Sequence, residues 1–313
     1  MTSHVKPAGG TELMCDGLVR HCGESWDRLI NIIVSGANPS VIDPTRINVL
    51  WQHLMPDDAV TSGMADPDLI SSIDQFIYVS EWQMARFAEA YPMAGDGGMV
   101  MLNAIDPIEF KPKPPGPPRL IYTSTPFRGL EILLDAFDLM RHDDAELTVY
   151  SSDIIYGTSF ALSAGDAHKR LFDRCRSHPR IDYRGYAPNP EVRAAVGSAH
   201  IFAYPSCFVE TSCLSAIEAG AAGCRIVTTN LGALPETCGP FATYVPYGHD
   251  HADLARRYAA ALDDAVSSYN PNGRAWRLQS DWFNDRYGWQ GRARQWESLF
   301  DRLTDGAWRT AHQ

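Results

Sequence analysis

Two glutamates carry the strongest chemical signal in this 313-residue chain. Glu210 and Glu218 are separated by seven residues within YPSCFVETSCLSAIEAGAAGCRIVTTNLGALPE, residues 204–236. The piece CLSAIEAGAAG is small and apolar on nearly every face, which predicts a buried helix. A charged side chain is almost never fully buried unless paired. Glu218, in the middle of that helix, therefore either pairs with a core arginine or faces a polar ligand. Glu210 stands where the helix begins. Thr211 and Ser212 are good N-cap residues there, and the unsatisfied amides of a helix start attract anions such as phosphate. Glu210 is then either a complement to the helix dipole or part of a ligand site.

These glutamates need a frame of strand, loop, helix and strand. AHIFAYPS (199–206) is an apolar run stopped by Pro205 and reads as a buried strand. CRIVTT (224–229) is a second strand. In such an arrangement a ligand is expected at the carboxyl end of the first strand. The same alternation runs through the chain. RLINIIVS (28–35), RINVLWQH (46–53), IDQFIYVS (73–80) and GGMVMLN (97–103) have strand character, and EWQMARFAEAY (81–91) is helical. RLIYTSTP (119–126), ELTVYSS (146–152) and RIDYRGYA (180–187) are further strands. FRGLEILLDAFDLMR (127–141), residues 153–178 and NPEVRAAVGSAH (189–200) read as helices. Alternating strands and helices imply parallel sheets with helices on their faces.

Five of the eight residues in KPKPPGPP (111–118) are proline, which suits neither a helix interior nor a central strand. This stiff spacer is the expected linker between a domain of 1–112 and one of 119–280. DWFNDRYGWQGRARQWESLFDRL (281–303) reads as one long amphipathic helix or a broken pair. Trp282, Trp289 and Trp296 recur every seven residues, so a packing face is expected rather than ligand stacking.

A net charge of −11 argues against a nucleic-acid surface, which would be basic. The seven cysteines include no C-x-x-C and no zinc spacing, so reduced core thiols and no metal site are expected. Asp66-Pro67-Asp68 is read as a helix cap. The N-terminus has no signal-peptide core, and no apolar run nears the ~20 residues of a membrane span. The expected location is cytoplasmic, with contact at a membrane surface left open. Gly9 and Gly10, in PAGGTE ahead of the amphipathic ELMCDGLVRHC, would let backbone approach a phosphate; a flexible start is the alternative. His53 ends a strand, where an α/β ligand site forms; a structural histidine beside Trp51 is the alternative.

The combination PS, Glu210, seven residues, Glu218-A-G-A-A-G, a β-branched strand and G-x-L-P-E resembles the donor-sugar motif of retaining glycosyltransferase family four. TSTPFRGLEILL resembles that family's S-x-x-x-K-G-L-x-x-L-L, with Arg128 at the lysine position. The resemblance runs from residue 9 to about 303 and is strongest over 119–236. It implies the GT-B architecture: two Rossmann-like α/β domains facing across a cleft, the N-terminal acceptor-side one shortened. A terminal helix, 281–313, would return to the N-terminal domain. It implies that Glu210 contacts donor sugar hydroxyls, Glu218 the ribose, and Arg128 the diphosphate, a task suited to a guanidinium fork. Gly9, Gly10, Ser124, Thr211, Ser212, Cys213 and Leu214 would face the sugar and phosphates, Tyr186 the base, and His53 the donor sugar or the acceptor-side backbone. The activity implied is transfer of a sugar from a nucleotide-diphosphate sugar to an unknown acceptor (glycan, lipid or small molecule). No metal or other cofactor is implied. The alternatives are a nucleotide-sugar epimerase of the same fold and a non-catalytic subunit.

Overall fold

The computed structural model describes residues 9–95, 97–154, 165–270 and 273–307. They form two compact units. One comprises Thr11–Asp106 and the chain from Arg286; the other comprises Pro107–Asp285 together with Gly9 and Gly10.

The first unit carries most of α1 (Gly10–Cys22), then β1 (Ile30–Val34), β2 (Ile47–Gln52), α2 (Pro67–Ser71), β3 (Gln75–Tyr78), α3 (Glu81–Ala90), α4 (Pro92–Gly95) and β4 (Met99–Val100). Its sheet is parallel in the order β1-β2-β3-β4, with Ile33 beside Leu50 and Leu50 beside Phe76. Leu50, Tyr78 and Phe87 are fully buried in its core with Ile33, Met64 and Phe76. Polar residues set the helix starts. Asp66 Oδ1 accepts from the Asp68 amide at 3.0 Å and caps α2, as the D-P-D spacing implies. Ser80 Oγ accepts from the Gln83 amide at 3.0 Å and caps α3.

The second unit contains β5 (Arg119–Thr123), α5 (Leu130–Leu139), β6 (Glu146–Tyr150), α6 (Gly165–Ser177), β7 (Ile181–Tyr183), α7 (Asn189–Ser198) and β8 (Ile201–Tyr204). There follow α8 (Leu214–Ala221), β9 (Arg225–Thr229), α9 (Leu234–Cys238), β10 (Ala242–Val245), α10 (His251–Ser267) and most of α11 (Arg274–Tyr287). The sheet is parallel in the order β10-β9-β8-β5-β6-β7. The chain enters at β5, steps outward to β7, then returns to the other side of β5 at β8. The boundary between β5 and β8 is thus a topological switch point, where α/β sheets open a crevice at the strands' carboxyl ends. Both faces of the sheet are covered, so its central strands read as unbroken apolar runs. All four residues of β8 are buried, as are Leu120, Ile121 and Tyr122 of β5.

Several expectations change. The proline-rich segment lies inside the second unit, whose limit falls after Asp106 rather than at 112. Its Lys113 is buried, and Nζ donates to the carbonyls of Gly197 at 3.0 Å and Ala222 at 2.8 Å, at the carboxyl ends of α7 and α8. Those carbonyls draw a cation to a helix C-terminus, which ties the segment down. The terminal aromatic stretch is a broken pair: α11 stops at Tyr287 and α12 (Trp289–Thr304) starts after Gly288. Trp282 packs near Phe241 in the second unit, whereas Trp289 and Trp296 are buried in the first. The heptad therefore does not describe one face. Of the helix read over 153–178, α6 covers 165–177; residues 155–164, like 1–8, lie outside the described residues. The seven cysteines are free thiols, five of them buried. Among the described residues no helix is long and apolar enough to cross a membrane.

Candidate functional site

The two sides of the switch point each deliver one charged group. After β5 a short 3-10 turn, Pro126–Arg128, precedes α5 and holds Arg128. After β8 the loop 205–213 holds Glu210. Arg128 Nη1 donates to Glu210 Oε1 at 2.7 Å, and Glu210 is only 2% exposed. The Tyr204 hydroxyl, at the end of β8, donates to the same oxygen. Burial pushes the Tyr204 phenol well above its ordinary value, so it keeps its proton and remains a donor. The Arg128 guanidinium also lies over the Phe208 ring, 4.2 Å from its centroid, a cation–π contact.

Two glycines allow this closeness. Gly129 has φ +122°, and a Cβ there would stand 2.2 Å from the Pro205 carbonyl oxygen. Gly232 has φ +62°, and a Cβ there would stand 2.5 Å from the Glu210 carbonyl oxygen. That carbonyl accepts from the Ala233 amide at 2.7 Å. The glutamate's backbone is thus pinned from one side while its side chain is held from the other.

Glu218 lies on the next helix and has different partners. Its Oε1 accepts from Arg193 Nη1 at 3.3 Å and from Asn189 Nδ2 at 3.2 Å, both on α7. Glu218 is 7% exposed. Of the two readings open for it in the sequence, the arginine partner is present. Arg193 and Tyr204 are the site residues that sequence reasoning missed. A buried tyrosine needs a partner for its hydroxyl, and Tyr204 ends a strand six residues before Glu210; that was the available signal.

The start of α8 differs from expectation. Its N-cap is Cys213, not Thr211 or Ser212, and no side chain caps it. The pinned Glu210 backbone keeps Thr211 and Ser212 in the loop. Leu214 is the first helical residue, and a Cβ on Gly10 would lie 3.3 Å from Leu214 Cδ1. Gly10 is thereby placed at this helix start; Gly9 is half-buried and precedes α1. Ser124 follows β5 directly, and Tyr186 lies in the loop between β7 and α7, both half-buried. His53 follows β2 in the other unit and is 9% exposed, with its ring 4.6 Å from that of Trp51. Burial pushes its imidazole down to about 3, so it is neutral at ordinary pH. A neutral ring can exchange hydrogen bonds but cannot act as a charged acid.

Chemically, the crevice at β5 and β8 offers a guanidinium, a buried carboxylate and the uncapped amides of a helix start. Such a set can take up negative charge on a leaving group and receive hydroxyl groups at a carboxylate.

Two parallel sheets flanked by helices in these units are the GT-B fold of glycosyltransferases. Residues 117–264 match the family described as Glycosyl transferases group 1. A curated relative from Arabidopsis thaliana, one of the subunits of phosphatidylinositol N-acetylglucosaminyltransferase, is 26% identical over 240 residues, 74% of this chain. The chain spans half the length of that relative. Among solved structures, Anabaena Alr3699/HepE in complex with UDP and glucose is similar with a TM-score of 0.67 and 15% identity, covering 82% of this chain and 72% of that one. A glycosyltransferase from Rickettsia africae has the same TM-score at 14% identity, covering 97% of this chain and 84% of that one. At such identities the structures speak for the fold alone.

Proposed function

We propose that this protein transfers a sugar, with retained anomeric configuration, from a nucleotide-diphosphate sugar to an acceptor that is a glycan, a lipid or a small molecule. The observation that carries this reading is the placement of Arg128 and Glu210 on opposite sides of the switch point, before the helix that bears Glu218. In this reading the α8 amides and Arg128 stabilise the departing diphosphate. Glu210 takes sugar hydroxyls, and Glu218, kept in place by Arg193 and Asn189, takes the ribose. Leu214, Cys213, Thr211, Ser212, Ser124, Gly9 and Gly10 line the phosphate and sugar path, with Tyr186 near the base. The group 1 match over 117–264 supports sugar-transfer chemistry for this part of the chain.

UDP-N-acetylglucosamine is the first donor to test. The curated relative is named for N-acetylglucosaminyl transfer, and the HepE structure holds UDP. A thermal-shift panel of uridine, guanosine, adenosine and thymidine diphosphates comes first. A ligand at 100 times its dissociation constant should stabilise the protein by ~2.7 kcal/mol. Donor turnover, the anomeric configuration of the product by NMR, and insensitivity to a chelator then test transfer, retention and independence of metal. No shift with any diphosphate would sink the proposal. A second reading, a non-catalytic subunit, is favoured by the relative's designation as one subunit of a transferase. It requires diphosphate binding without turnover in any acceptor mixture.

A further inference from the structure

A cavity of about 560 Å³ opens in the first unit between one face of α12 and the edge strand β4. Residues 97–101 run along it, with Met99 and Val100 paired to Ile77 and Tyr78 of β3, and Gln75 at the start of β3 closes one side. His53 follows β2, two strands further in. The cavity thus lies along the free edge of this sheet, and none of the residues expected to meet a transferase substrate lines it.

Its wall is a row of donors. Arg294, Ser298 and Arg302 follow one another at intervals of four on α12 and all face the cavity. Their first and last stems leave the helix ~12 Å apart, with the Ser298 hydroxyl midway between them. Arg302 donates to Gln75 Oε1 at 2.9 Å, and the Gln295 side chain adds a further amide to the wall. Among the described residues no carboxylate lines the cavity, and neither arginine is in an ion pair. The floor is apolar: half-buried Met99 and Val100 line it, backed by the buried Met101 and Leu299. In a chain of net charge −11, two arginines without a carboxylate over an apolar floor form a local positive pocket with a greasy base.

We propose that this cavity binds a phosphate ester carrying an apolar substituent. The guanidiniums take the phosphate through charge-assisted bonds, Ser298 adds a donor, and the substituent covers Met99 and Val100. Such a ligand is supplied either by an anionic lipid headgroup at a bilayer or by a free phosphate ester. The inference does not depend on sugar transfer, because it uses neither the β5–β8 crevice nor its residues.

Calorimetric titration of the full chain with dihexanoylphosphatidic acid, kept monomeric, and with inorganic phosphate tests it. The ester should bind measurably and more tightly than phosphate. Arg294→Glu and Arg302→Gln should each weaken the ester by roughly tenfold or more, at unchanged melting temperature and unchanged nucleoside diphosphate binding. Arg294 is exposed, so its variant should fold; Arg302→Gln retains a donor toward Gln75. Co-sedimentation with phosphatidylcholine vesicles, with and without phosphatidic acid, separates the sources. Sedimentation only with phosphatidic acid, lost in both variants, supports the proposal with a bilayer as the source. Ester binding without sedimentation supports it with a soluble ligand. No ester binding, equal affinity in parent and variants, or phosphate binding as tightly as the ester would overturn it.

Discussion

Replacing Arg128 by methionine is the most informative single change, because the structure sets the size of its effect. Glu210 has a side chain only 3% exposed, and Arg128, 21% exposed, supplies its counter-charge at 2.7 Å. The pair is thus not of the weak surface kind. Methionine keeps most of the stem and its contact with Phe208 but removes the charge. The carboxylate is then left beside the Tyr204 hydroxyl alone, which costs ~3–5 kcal/mol for a broken buried pair. The double variant Arg128→Met, Glu210→Gln carries no stranded charge and should lie within about 1 kcal/mol of the parent. Urea unfolding at pH 7, followed by tryptophan fluorescence, measures all three proteins. The loss belongs in the transition of the unit 107–285 if the two units melt separately. A double variant as unstable as Arg128→Met would refute the reasoning. An unchanged single variant would show that Arg128 serves only a ligand.

Three further outcomes follow from the geometry. Glu218→Gln should weaken nucleoside diphosphate binding by roughly tenfold or more, the loss of one charge-assisted bond, whereas Glu210→Gln should leave it nearly unchanged and depress donor turnover; calorimetric titration decides, and equal losses in both would remove the division of roles. His53, held down to about 3 by burial, binds a proton more readily in the unfolded chain, so stability should rise with pH between about 3 and 6.5. The slope is at most about 1.4 kcal/mol per pH unit, and His53→Asn should flatten it in urea titrations at pH 5 and 7. Gly129→Ala should cost at least about 1–3 kcal/mol through its positive φ and the Pro205 contact, and should lower diphosphate affinity with it; a neutral melting curve would show that the two loops can part.

The glutamates and their helix were legible because burial leaves a strong mark on composition: a lone carboxylate among alanines and glycines demands a partner. The strands were legible for the same reason, since a parallel sheet covered on both faces leaves apolar runs such as IFAY in the sequence. The partners were not legible. Arg128 reaches Glu210 across 82 residues and Arg193 reaches Glu218 across 25; TSTPFRGLEILL marked Arg128 for a phosphate but not for Glu210, and nothing local to Arg193 distinguishes it from a surface cation. The cap shows the limit from the other side. Thr211 and Ser212 have the right chemistry for an N-cap, yet Cys213 holds the place, because the Gly232–Ala233 turn pins the backbone of Glu210 and delays the helix. Local propensity yields there to a contact made 23 residues further on, from the Ala233 amide to the Glu210 carbonyl. The helix start that results carries no serine or threonine cap, and it is this start, together with Arg128, that the proposed transfer uses for the donor phosphates.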